Sequence, residues 1–279
     1  MSAGPFPSAR FGTRIRPSER VQGNGVRRAA GVVQTSQMFT AGLTVAAMIA
    51  TPLLPKGGAA RRVLSSAVVS GLFATTSGLT ARTWGTRRTA IAATTIATAT
   101  TVIERVGTQT GIPFGRYGYT NALRPQVAGV PAVVPLAWFA MAMPAREAAH
   151  SALGARSTAL SRIVMGSAAL TAWDLFLDPQ MVGEGYWKWA RRGLYRGIPV
   201  SNFIGWFVTG LGVMAVLEVA LPVRESADPA LVGEYTYMAT METVGFAAFF
   251  KDRVVAGVGG AAMLPVAIAA VRQLIRRRG

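Results

Sequence analysis

Five stretches of this chain carry no charge at all: Ala29 to Pro55, Val63 to Ala81, Pro125 to Ala145, Gly197 to Leu217 and Val254 to Val271, each 18 to 27 residues long and mostly apolar. About 20 apolar residues in a helix cross a hydrocarbon core roughly 30 Å thick, so each run predicts a membrane span. The shorter apolar runs complete a set of eight predicted helices, near 32–54, 63–81, 89–106, 125–143, 158–178, 199–221, 234–250 and 254–275. The third, fifth and seventh carry charges. Only Lys251, Asp252 and Arg253 separate the last two, so one of that pair can instead lie in the interface. The expected fold class is all-α, a polytopic membrane helix bundle of seven or eight transmembrane helices. The third helix is almost continuous in small and hydroxyl residues from Thr89 to Thr101. Such side chains let helix backbones approach closely in lipid, which predicts a central position for it. No internal repeat of fixed period is visible, so an inverted-repeat transporter gains no support.

Residues 1–30 are rich in Arg and Gly and are expected to form a disordered basic N-terminal tail, leaving 31–279 as a single integral membrane domain. The chain is 51% hydrophobic and 15% charged, against about 25% charged in soluble domains. That balance excludes a secreted or cytosolic globule. The net charge of +17 would suggest nucleic acid if it gathered into a stripe on a folded domain. Here Arg10, Arg14, Arg16, Arg20, Arg27 and Arg28 precede the first span, and Arg272, Arg276, Arg277 and Arg278 follow the last. No nucleic acid is therefore expected as a partner. With eight spans, and Arg162 left inside one of them, 16 Lys and Arg fall on the side holding both termini and 12 on the other. This bias predicts a multi-pass protein of the cell membrane with both termini cytoplasmic.

Cysteine is absent and histidine single, so no metal site and no cofactor is expected. His150 reads as a solvated residue of a polar connection. The informative side chains are the carboxylates inside or beside spans, which are costly in lipid and so call for a reason: Glu104, Asp174, Asp178, Glu218 and Glu242. Asp174 and Asp178 are spaced i, i+4, which stacks them on one helix face before Pro179, where the helix is expected to end. Two carboxylates so placed in a low dielectric favour keeping a proton, as general-acid catalysis requires. A structural role is the alternative: Asp178 accepting hydrogen bonds at a helix end, Asp174 pairing with Arg162 or an arginine of the next loop.

Two connections, 104–124 and 179–198, meet at one membrane face, because spans three and five end there and spans four and six begin there. Both are rich in Gly and aromatic residues and are expected to be non-helical, either as folded re-entrant or interfacial loops whose rings lie at headgroup level or as a simple aromatic belt. Glu104-x-x-Gly107-x-x-Thr110-Gly111-x-Pro113-Phe114-Gly115-x-Tyr117-x-Tyr119, Gly129-Val130-Pro131 with Pro135-Leu136-Ala137-Trp138, Asp174-x-x-x-Asp178-Pro179, Trp187-x-Trp189 and Gly197-x-Pro199-x-Ser201-Asn202-x-x-Gly205-Trp206 resemble the signature blocks of the membrane carotenoid hydratases of the CruF type. The resemblance is close over residues 100–215 and rests on hydropathy alone outside them. The Arg-rich N-terminal tail departs from it.

The resemblance implies hydration of the terminal isopropylidene double bond of an acyclic carotenoid ψ-end to a tertiary alcohol, without metal or redox cofactor. The substrate lies in the bilayer, and other carotenoid-biosynthesis enzymes are candidate partners. Protonating such an alkene leaves a tertiary cation, which needs an acid, a π-rich surface and one positioned water. Asp174 or Asp178 can be the acid, with the other carboxylate or Glu104 orienting the water. Asp174 lies one turn deeper and is the first choice on that ground. Tyr117, Tyr119, Trp187, Trp189 and Trp206 offer ring faces that attract cations, and Asn202 adds an amide, so these six are the expected substrate-binding residues. Two readings compete. A carotene cyclase would protonate the same end and let the chain's own double bond quench the cation. A non-catalytic carotenoid-binding or scaffold protein would need the rings but not the paired acids.

Overall fold

The computed structural model describes residues 35–277, so the predicted N-terminal tail lies outside the described residues. Residues from Thr40 onward make one compact unit. The protein is an all-α membrane bundle. Its helices are α1 (Thr35–Leu53, closing in a 3-10 turn), α2 (Ala59–Trp84), α3 (Thr86–Thr110), α4 (Val133–Leu153), α5 (Ala159–Gly183), α6 (Val200–Ala220), α7 (Pro229–Ala248) and α8 (Arg253–Arg276). By length and composition α1, α2, α5, α6 and α8 can each cross a bilayer. The remaining three have matching lengths of 25, 21 and 20 residues but carry polar groups, which α4 buries and α3 leaves mostly exposed.

The centre belongs to α4, not to the small-residue helix α3 as the sequence suggests. From Ala137 to Ser151 every residue of α4 is buried, and α2, α3, α5, α7 and α8 all pack on it. In α3 burial follows one stripe, Ala92, Ala93, Ile96, Thr100, Glu104 and Gly107, while Ile91, Val102 and Val106 are exposed. Small residues allowed one close face there, not burial all round.

Two helices run through prolines that were expected to end or to follow them, and the reason is the same in both. A proline inside a helix leaves the carbonyl four residues earlier without its N–H partner, a serious loss in lipid. For Pro179 that carbonyl is Leu175 O, and the Tyr195 hydroxyl donates to it at 2.8 Å. For Pro144 it is Ala140 O, which accepts from Thr76 Oγ1 at 3.0 Å. So α5 continues to Gly183, and α4 continues past Pro144 to Leu153.

That extension changes the reading of His150. It is buried within α4, with Nδ1 2.6 Å from Ser157 Oγ and Nε2 3.0 Å from Arg224 O, and is not a solvated loop residue. Nearby, Glu218 of α6 joins Arg162 of α5 at 2.7 Å and Arg146 of α4 at 3.2 Å. The arginine considered as a partner for Asp174 is therefore committed to Glu218, at the other end of the bundle.

The segment assigned to the start of the fourth helix is instead a hairpin. Strands β2 (Gln126–Val127) and β3 (Val130–Pro131) pair antiparallel through Ala128 and Gly129, both at positive φ, the backbone a two-residue hairpin turn requires. A second antiparallel pair joins the two aromatic connections. Strand β1 (Tyr117–Tyr119) lies against β4 (Trp187–Trp189), with Tyr117 opposite Trp189 and Tyr119 opposite Trp187. Side chains alternate along a strand, so these four rings share one face of the ribbon. Gly118 and the exposed Lys188 take the other.

Candidate active site

The β1–β4 ribbon is pinned over the ends of α3, α5 and α6. Gly111 closes α3 in the left-handed region (φ 84°), a conformation that favours glycine, and the chain then turns back so that Phe114 wedges between α3 and α6. A Cβ on Gly107 would stand 2.9 Å from Phe114, and one on Gly205 would stand 2.8 Å from both Phe114 and Pro113 O. Those two glycines are what admit the loop. Phe114 and Tyr117 are buried, so the loop folds against the bundle.

Beneath the ribbon is a cavity of about 70 Å³. Glu104, Asp178 and Asn202 reach it among the rings of Tyr117, Tyr119, Trp138, Trp187, Trp189 and Trp206. The Glu104 carboxyl accepts from three donors: Tyr117 OH in a short contact, Tyr119 OH at 2.7 Å, and Trp138 Nε1 at 3.2 Å. Burial, and then the neighbouring Glu104, push both phenols well above their ordinary pKa, so they remain protonated donors at neutral pH.

The second group is built on Asn202, in the first turn of α6. Its Nδ2 donates to Asp174 Oδ2 at 2.7 Å and to Asp178 Oδ2 at 2.5 Å. Asp178 Oδ1 accepts from Trp187 Nε1 at 3.0 Å. Asp174 Oδ1 is buried without a hydrogen-bond partner among the described residues. Asp174 is fully buried and does not line the cavity; it reaches the cavity through Asn202. The sequence placed Asp174 ahead of Asp178 on depth, whereas the geometry sets Asp178 at the front and Asp174 behind it.

The family model of the carotenoid biosynthesis proteins matches residues 57–275. The chain belongs to that family. A stretch of 110 residues, 39% of the chain, is 34% identical to the bisanhydrobacterioruberin hydratase of Haloarcula japonica, and the chain spans 37% of that relative's length. No solved structure matches the chain.

In this carotenoid biosynthesis protein all six residues expected to bind substrate, Tyr117, Tyr119, Trp187, Trp189, Asn202 and Trp206, line one cavity with Glu104 and Asp178. Of the other acids singled out in the sequence, Glu218 lies in the arginine network and Glu242 in a neighbouring chamber; two further acids within helices, Glu147 of α4 and Glu234 of α7, line neither cavity. Two contributors were not singled out from the sequence. Trp138 stacks on Trp206 with centroids 4.0 Å apart and planes 15° from parallel; its signal was its place in the Pro135–Trp138 block. Ser65 of α2 lines the cavity and contacts the Tyr186 hydroxyl at 3.0 Å. It sits in a run of small residues that reads only as packing.

Proposed function

We propose that this protein adds water across the terminal isopropylidene double bond of an acyclic carotenoid, giving a tertiary alcohol by acid–base chemistry without a cofactor. The observation that carries the reading is the joint presence of Asp178 and Glu104 on one cavity walled by aromatic rings, in a member of the carotenoid biosynthesis family.

Asp178 donates its proton to the less substituted alkene carbon, and the electron pair of the double bond forms the new C–H bond. The tertiary cation left behind lies among the faces of the Trp138–Trp206 stack and the ribbon rings, whose quadrupoles attract positive charge. A water held by the Tyr117 and Tyr119 hydroxyls beside Glu104 attacks the cation, and Glu104 takes the proton that the water gives up. Its return to Asp178 restores the starting state, so the sum is one alkene and one water to one alcohol. Asn202 donates to both aspartates and holds their carboxyls side by side, which makes Asp174 a positioning residue in this scheme. The two carboxyls thus serve opposite duties, as acid–base hydration demands.

The protein is proposed to work as a multi-pass protein of the cell membrane with both termini cytoplasmic, supported by the asymmetry of Lys and Arg. Expression in a lycopene-producing host tests the activity. Pigments heavier by one or two waters are expected; unchanged pigment with the protein present in the membrane counts against it.

A further inference from the structure

A cavity of about 70 Å³ is far below the roughly 300–1,000 Å³ of ordinary ligand pockets. It holds an end group, not a carotenoid. A second chamber of about 290 Å³ lies against it. The two share four lining residues, Ser65 and Val69 of α2 and Leu177 and Met181 of α5. Each pair is spaced i, i+4, so the partition is one ridge from each of two helices.

The chamber's lining is apolar and adaptable, with Met48 of α1, Leu72 of α2, Trp173 of α5, and Met238 and Met241 of α7. Unbranched thioethers conform to ligands of varied shape. Its one carboxyl, Glu242, sits beside the indole of Trp173. The rim is formed by Ile49, Val244 and Phe249, each about half exposed on the outside of the bundle. In a membrane bundle that opening faces lipid, between α1 and α7.

We infer that this second chamber receives the hydrocarbon segment next to the end group of the substrate, which enters sideways from the lipid between α1 and α7, leaves the rest of its body in the lipid, and passes the Val69–Leu177 partition so that only its terminal double bond reaches Asp178. The inference rests on the proposed hydration. It makes the end group the strictly recognised part and the body the loosely recognised one. It also means that one end is processed per binding event.

Gly245 of α7 lines the chamber, and a Cβ there meets nothing within 4 Å. Gly245→Phe therefore introduces a ring at the chamber wall with no clash at its Cβ, and Gly245 does not line the end-group cavity. Met241→Trp, one turn away on the same face, is the second variant. Membranes carrying each form are given lycopene or 3-methylbut-2-en-1-ol, which end in the same isopropylidene group, but only lycopene has a hydrocarbon body to seat in the chamber. The ratio of lycopene to 3-methylbut-2-en-1-ol hydrated should fall at least tenfold in both variants. An unchanged ratio overturns the inference, whether both activities persist or both fall together. Failure of the unaltered protein to hydrate either compound is a different result and overturns the hydration reading itself.

Discussion

Asp178 fronts the cavity with an N–H donor on each oxygen, from Trp187 and Asn202, while Asp174 stands behind Asn202 with one oxygen unpartnered. That order decides the expected mutant phenotypes. Asp178→Asn keeps the shape and removes the transferable proton, so hydration should fall by roughly 10² to 10⁴, as for a lost general acid. Asp174→Asn should fall less and should shift the pH profile of the remaining activity, because it removes a neighbouring carboxyl and not the proton donor. Product measured at matched protein levels checks both. A Asp174→Asn variant more damaged than Asp178→Asn would return the acid role to the deeper residue. Each carboxyl on the cavity already has N–H or O–H hydrogens pointing at it, which is a poor setting for a cation. Activity in isolated membranes should therefore survive a chelator, and loss with EDTA restored by a divalent ion would contradict the scheme.

The element that carries both aspartates, α5, runs on through Pro179, and Tyr195 caps the freed Leu175 carbonyl. Tyr195→Phe should lower stability by about 1 kcal/mol. In a Pro179→Ala background the same change should cost much less, since the helix can then bond itself. Thermal unfolding of the four proteins in detergent measures this, and an equal loss in both backgrounds would contradict it. The spans were legible because hydropathy writes them directly into the chain. What hydropathy could not show was polar groups finding partners far away in sequence. The fifth helix was expected to end at Pro179 and the fourth near residue 143 because Tyr195 and Thr76 are invisible to local reading, and the same blindness left His150 in a loop. The ribbon was hidden for another reason. Tyr117-Gly118-Tyr119 and Trp187-Lys188-Trp189 do alternate, but three residues are too few to declare a strand until the two segments meet. The aromatic residues of the cavity could nevertheless be named through the family resemblance, whereas composition alone left them open between a folded loop and a simple aromatic belt.

Across the bundle the two ends divide their duties. One holds the aromatic cavity. The other holds Arg146, Arg162 and Glu218 in buried ion pairs, which keep α4, α5 and α6 together. Glu218→Leu leaves buried guanidinium charge uncompensated, and breaking such a group costs about 3–5 kcal/mol. The variant should accumulate poorly yet hydrate at the normal rate per folded molecule, as quantified by activity against the folded fraction; normal abundance with lost activity would contradict this division. The hydration itself is tested most directly by supplying lycopene to membranes containing the protein in water enriched in heavy oxygen. The prediction is a product that carries the heavy isotope in a hydroxyl on the tertiary carbon of a ψ-end. A rearranged product of unchanged mass, its cation quenched by the chain's own double bond and not by water, would contradict the account and make the protein a cyclase.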